Sequence, residues 1–273
     1  MQQLPLGFDG SELQRAPKSA SPATNQSNEQ ARPLPKYRLI RARRRTLGIT
    51  VHRGEVEVRA PLKAPRYWID EFIQEKRDWI NTQVTQQKVE LTQIYRIVDG
   101  ARLPLLGETV TVRVMLAVAP AAKRSRVTFD DNTLSFFIAA SAQNTHPDNA
   151  AEIEKNATAL FFRWIGKYAQ HYMTAATSAL ASQIGLADRL CDVKYRRTSS
   201  KWGHCTSEGI IQYNPLIALA PMYVVDYIIA HEVCHLKHGN HSKSYWKLVD
   251  RVCPDRQKAE HWLKHQGYRL AME

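Results

Sequence analysis

The chain has few cysteines for its length, four in 273 residues: Cys191, Cys205, Cys234 and Cys253. None belongs to a C-x-x-C pair. Four scattered thiols argue for a reducing compartment and against a disulfide framework. No apolar run reaches the length of a membrane span, so no membrane partner is expected. The N-terminus lacks a basic-then-apolar signal pattern, and the expected location is the cytoplasm. No glycine-rich phosphate loop is present. Acidic residues are in the minority, 26 against 38 Lys and Arg, for a net charge of +12. The excess is uneven: the segment 32–66 holds eleven cations and only Glu55 and Glu57 as acids. Such a cluster suits an anionic partner, nucleic acid above all, or it is the solvated face of a strand pair.

What is present is concentrated between Pro221 and Trp246. His231-Glu232-Val233-Cys234-His235 is an H-E-x-x-H motif. On a helix, residues four apart share one face, so His231 and His235 can hold one metal ion. Glu232 faces sideways, where a carboxylate can hold a water. A catalytic zinc takes three protein ligands and keeps a fourth position open. His238 would lie roughly 10 Å along the axis from His231 if the helix continued, too far for a shared ion. His241 is the better third ligand. Gly239 and Asn240 precede it, and both tolerate the left-handed conformation that ends a helix. Pro221 suits a helix start, and Met222–Ala230 is apolar apart from Asp226. Two His and a Glu in such a buried helix would be costly without a metal, and the alternative is a set of satisfied histidines. Cys234 lies off the ligand face and reads as packing.

Segment 1–36 is rich in Pro, Ser, Gln and Asn and reads as a disordered tail. A β-rich region, 37–140, follows. Leu47–Arg53 and Val56–Val58 alternate around Gly54 as a hairpin, and Arg66–Lys88 has helical spacing. Ile94–Val98, Leu103–Leu106, Thr109–Leu116, Val127–Phe129 and Leu134–Ile138 read as strands. Asp99-Gly100, Gly107 and Asp130-Asp131-Asn132 mark their turns. After a small polar linker, Ala150–Ile184 reads as one long helix ending at Gly185. Two short strands, Asp192–Arg197 and Gly209–Ile217, precede the metal helix. Helices Ser242–Val252 and Pro254–His265 close the chain. The fold class is therefore α+β: a mostly antiparallel β unit with one helix, then helices with a short antiparallel sheet over 150–268.

Two stretches together carry a resemblance. Ser200-Lys-Trp-Gly-His-Cys-Thr-Ser207 with Ile211–Pro221, and Asp226–Trp246 around the metal motif, resemble the YgjP-type metal-dependent hydrolases. That family is zincin-like and related to SprT-type metallopeptidases. Arg44–Val51, Val58–Pro61, Lys76–Ile80 and Leu105-Leu-Gly107 are similar to its N-terminal half. The resemblance spans about 36–268. It implies a zincin-like fold with one Zn2+ per chain on His231, His235 and His241, and Glu232 as general base. His204 stands where the family usually has Ser, as an extra polar group or a plain loop residue. Gly239 stands at +8 from His231, whereas metzincins have glycine at +7.

Metal-assisted hydrolysis is the expected chemistry. Tyr213, Asn214 and His204 are candidate substrate contacts, and Tyr213, His204 and Tyr245 candidate oxyanion donors. A peptide or protein substrate ranks first, with Ile210–Ile217 as the strand beside the metal helix. A nucleoside triphosphate such as UTP ranks second, a role also attributed to members of the family, with Arg196, Arg197 and Lys201 meeting phosphate. Nucleic-acid association through 32–66 ranks third.

Overall fold

The computed structural model describes residues 10–15, 35–118, 124–140, 149–198 and 201–272. Most of the expected N-terminal tail, the tip of the second β region and the core of the 139–149 linker lie outside these. The chain divides into two compact units, one built from Phe8–Gln93 and the other from Ile94 onward. The sequence grouped 37–140 together. In the structure the second β region clusters with the metal helix instead.

The first unit contains β1 (Gly10–Arg15), β2 (Arg38–Ala42), β3 (Thr46–His52), β4 (Glu55–Pro61), α1 (Arg66–Glu75) and α2 (Arg77–Leu91). The expected tail thus includes a strand: β1 pairs antiparallel with β3. The β3–β4 hairpin turns through Arg53 and Gly54, with φ of 54° and 77°, and such turns match the right-handed twist of the flanking strands. Sheet order is β1-β3-β4-β2, and β2 joins parallel to β4. Leu47, Ile49, Val51, Val56 and Val58 face a small core with Ile69, Phe72 and Ile73 of α1. The single helix expected over 66–88 is two helices, broken at Lys76. Gln87 is buried and accounts for two backbone groups, accepting from Gly54 N and donating to Val51 O.

The excess positive charge of 32–66 is partly engaged within this unit. Arg38 and Arg59 pair with Glu57, and Arg66 pairs with Asp70. Arg41 donates to the carbonyls of Pro61, Leu62 and Ala64, and Arg44 to Thr46.

The second unit opens with Ile94–Val98, which is irregular rather than a strand; Tyr95 N donates to Arg269 O there. The strands β5 (Arg102–Leu105), β6 (Glu108–Val118), β7 (Arg126–Asp130) and β8 (Thr133–Ala140) form a sheet of order β5-β6-β8-β7. Two hairpins supply its antiparallel pairs, and β6 and β8 join them in parallel. The hairpin turns sit at Leu106-Gly107 and Asp131-Asn132, all at positive φ. Helix α3 (Ala150–Gln183) follows and ends before Gly185 at φ 71°. Its buried stripe of Ala157, Leu160, Phe161, Ile165, Ala169 and Met173 repeats at three and four residues.

A three-stranded sheet comes next: β9 (Asp192–Tyr195), β10 (Gly203–Cys205) and β11 (Ile210–Tyr213), in order β10-β11-β9. β11 is antiparallel to β10 and parallel to β9, so this sheet is mixed where an antiparallel one was expected. Pro215–Leu219 forms a 3-10 turn, capped where Asn214 Oδ1 accepts from Leu216 N. The chain closes with α4 (Met222–His235), α5 (Lys243–Val252) and α6 (Arg256–Gln266). One core joins β5–β8, α3, α4, α5 and α6. The whole is α+β with small mixed sheets. No helix among the described residues is long and apolar enough to cross a membrane.

Candidate metal centre

Helix α4 is buried along nearly its whole length: every residue from Val224 to Cys234 except Asp226 is inaccessible. An all-round apolar helix packs on several sides, so its polar groups need internal partners. Asp226, the acid in the run, is exposed and accepts from the Tyr172 hydroxyl at 3.2 Å.

His231 and His235 lie one turn apart, ring centroids 5.0 Å from each other. After His235 the helix ends at Leu236, and the chain turns back through Gly239 and Asn240. Neither takes a positive φ, so the reversal expected from left-handed residues is made with ordinary backbone angles. Ser242 caps α5, accepting from Tyr245 N at 3.3 Å. The turn carries His241 to the α4 histidines, its Nε2 3.2 Å from His231 Nε2. One ligand nitrogen from each of His231, His235 and His241 falls within 4.8 Å of the others. The His238 ring is not in this group. Its carbonyl has a use instead, as the 2.9 Å partner of His235 Nδ1. That bond fixes the tautomer that leaves His235 Nε2 as the free ligand nitrogen.

The electrostatics suit a cation. Burial pushes the His231 imidazolium pKa down to about 3, with the neighbouring charges of His235 and His241 adding to it. Burial also lowers His235 and His241. All three rings are therefore neutral at physiological pH, the form that binds metal. Cys234 and Cys205 are pushed up to about 12 by burial, remain thiols, and are packing groups. All four cysteines are unpaired.

Glu232 is buried, and burial raises its pKa to about 8 against the opposing charge of Lys201. It stands against β10. A Cβ on Gly203 would come within 2.6 Å of Glu232 Cγ, so only glycine lets the strand approach this closely. Gly203→Ala is therefore expected to lower turnover at least ~10-fold by displacing the carboxylate, a misplacement effect. Zinc content should be unchanged, and metal analysis beside kinetics checks the separation.

The other candidates fall in different places. His204 is half-buried on β10, with its pKa lowered by burial and then by Lys201. Tyr213 is fully buried, and its hydroxyl lies 3.0 Å from that of Thr177. Asn214 is buried as the cap described above and donates to Thr198 O. Tyr245 is buried against His235, rings stacked at 4.6 Å, and donates to His231 O. Each of these three has an internal task. Ile210–Tyr213 is the central strand of its sheet, paired on both sides. The strand packed on α4 with one edge unpaired among the described residues is β10. Arg196 and Arg197 line a separate cleft between α3 and β9 that contains none of the three histidines. There Arg197 lies over the Phe162 ring and donates to Met272 O.

Sequence reasoning missed the groups behind the histidines. Tyr227 Oη lies 3.5 Å from His231 Nδ1 and donates to Glu260 at 2.9 Å. Trp246 stacks on His241 at 5.4 Å. The available signals were Tyr227 four residues before His231, and Trp246 five after His241.

The buried helix and the turn beyond it thus bring three imidazoles within reach of one ion, on an α+β scaffold. The chain belongs to the YgjP-like metallopeptidase domain family, which matches residues 45–266. Membership places it among metal-dependent hydrolases. Comparison with curated proteins finds no match.

Proposed function

We propose that this protein is a zinc-dependent metallopeptidase. One observation carries the reading: three imidazoles converge beside a buried carboxylate, next to a strand with one edge unpaired among the described residues. His231, His235 and His241 would hold the ion, and nitrogen ligands of this number suit zinc. Zinc, when bound, supplies Lewis acidity, polarising the scissile carbonyl and making water easier to deprotonate.

The chain's own residues supply the rest. A peptide adding as a further strand to the edge of β10 that is unpaired among the described residues would be held by main-chain hydrogen bonds. That would bring its backbone past Gly203 to Glu232. Glu232 takes a proton from the attacking water and returns it to the leaving nitrogen, which departs as an amine. The His204 ring has no hydrogen-bond partner among the described residues, which leaves it available to the developing oxyanion. His204→Ala is expected to lower kcat/KM by about 10-fold to 100-fold at unchanged zinc content, and an unaltered kcat/KM would remove that role.

The deciding experiment compares peptide-library cleavage with UTP hydrolysis, using zinc-loaded wild type and Glu232→Gln. Peptide cleavage lost in the variant supports the reading. Glu232-dependent release of pyrophosphate, without peptide cleavage, replaces it with a nucleotide hydrolase. Of Arg196, Arg197 and Lys201, the two arginines line a cleft that contains none of the three histidines, which favours the peptide. Nucleic-acid binding through 32–66 would appear as affinity falling steeply with salt.

A further inference from the structure

Behind the three histidines, α6 carries one arginine that touches both arms of the site. Arg256 Nη1 donates to both oxygens of Glu260, at 3.0 and 3.1 Å. Its Nε pairs with Asp250 at the end of α5. The face of the same guanidinium lies 4.6 Å from the centre of the Trp246 ring. A planar, five-donor group can hold two carboxylates at its edge and an aromatic on its face, and no other side chain offers that combination.

Each partner leads to a histidine. Glu260 accepts from the Tyr227 hydroxyl, and the Tyr227 oxygen is thereby free to accept from His231 Nδ1. Tyr227 and His231 are four apart on α4, as Arg256 and Glu260 are on α6, so two helical turns face each other. The other arm is a stack: Arg256 over Trp246, and Trp246 over His241 with their rings 20° from parallel. Arg256 and Glu260 are mostly covered, with side chains 20% and 31% exposed. Their interactions are therefore screened less than those of a surface pair.

We infer that Arg256 is a positioning residue for the metal centre, acting on His231 through Glu260 and Tyr227 and on His241 through Trp246. The inference rests on the proposed reading of the three histidines as metal ligands. The physical effect is twofold. A tyrosine that donates to a carboxylate has a more electron-rich oxygen, which draws the Nδ1 proton of His231 and strengthens Nε2 as a ligand. The stack fixes the plane of His241, the ligand on a loop, which has no helical backbone to orient it. His235 needs neither arm, because the His238 carbonyl already holds its Nδ1.

The test is zinc affinity of the full chain by chelator competition, with the visible spectrum of the cobalt(II)-loaded protein beside it. Tyr227→Phe removes one hydroxyl from a buried ring and is expected to weaken zinc about 10-fold to 100-fold, the usual cost of losing a ligand's supporting group. Arg256→Met releases both arms and should lose at least as much, with an altered cobalt spectrum. The double variant should lose less than the product of the two single losses, because the part of the Arg256 effect that runs through the Tyr227 hydroxyl is already gone. Glu260→Gln keeps an acceptor for Tyr227 and should recover most of the affinity lost in Glu260→Leu. Arg96→Met, which breaks an ion pair with Glu154 in the same unit, should leave zinc affinity unchanged. Wild-type zinc affinity in folded Tyr227→Phe and Arg256→Met overturns the inference and leaves the metal site standing. If Arg256→Met fails to fold, Tyr227→Phe decides. No zinc binding by wild type overturns both readings together.

Discussion

Glu232→Gln should abolish turnover while keeping the metal, and in the metal-free protein it should raise stability. The first part follows from the proton path. A glutamine cannot accept the proton of the attacking water, and loss of a general base costs about 10^2-fold to 10^4-fold in rate. The imidazoles that hold the ion are untouched, so zinc stoichiometry should equal that of wild type. The second part follows from burial. The Glu232 carboxyl sits at about 8 in the folded chain against an ordinary value of 4.5. Between those two pH values the folded state keeps a proton that the unfolded chain has released. The unfolded state binds fewer protons there, so stability falls as pH rises through that window. Glutamine has nothing to titrate. Metal-free Glu232→Gln should therefore exceed metal-free wild type by up to a few kcal/mol at pH 8, at ~1.4 kcal/mol per pKa unit, and the gap should close toward pH 5. Denaturant melts of both proteins at the two pH values check this. Equal turnover would remove the base role, and a gap that widens on acidification would refute the burial argument.

His241→Ala should lose zinc more severely than any change behind the ligands. His241 closes the set: its Nε2 lies 3.2 Å from that of His231, and it is the one member brought in by a turn. Without it two imidazoles remain, one short of the three that a catalytic zinc uses. The loss should exceed the roughly 100-fold upper range for a supporting group. The fold should survive, because His241 is only partly buried and lies at a loop between α4 and α5. Circular dichroism with metal analysis separates the two outcomes. Unchanged zinc content in a folded variant would give the third position to another residue. The His238 ring is not among the converging imidazoles, and its carbonyl is already engaged by His235 Nδ1.

Much of the architecture was legible because it is set locally. The alternation of Leu47, Ile49 and Val51 around Gly54, the three-and-four spacing along α3, and the Asp131-Asn132 turn each depend on residues within a few positions. Where the reading failed, the deciding contact was distant. Ile94–Val98 has strand-like residues, but Tyr95 N finds Arg269 O, far along the chain, and no ladder forms. The break of 66–88 into two helices at Lys76 has no proline or glycine to announce it. The residues 10–15 look like polar tail, yet their backbone completes the edge of a sheet beside β3. The parallel joins of β2 to β4 and of β6 to β8 are pairings between separate hairpins or strands that no turn residue encodes.

The sequence by itself determined the buried helix, the facing pair His231 and His235, the sideways Glu232, and His241 as the candidate third ligand beyond the helix end. Helical periodicity settles the first three, and the reach of a metal–nitrogen bond rules on the fourth. Only the tertiary structure decided that β10, not β11, has an edge unpaired among the described residues beside α4, that Gly203 is where Glu232 needs room, and that Tyr213 and Asn214 are buried and hydrogen-bonded internally. It also brought Arg256 and Glu260 behind Tyr227, and Trp246 against His241. These depend on which faces of α4, α5 and α6 meet. That choice minimises exposed apolar area over the whole unit, and residues about thirty positions apart carry no local sign of it.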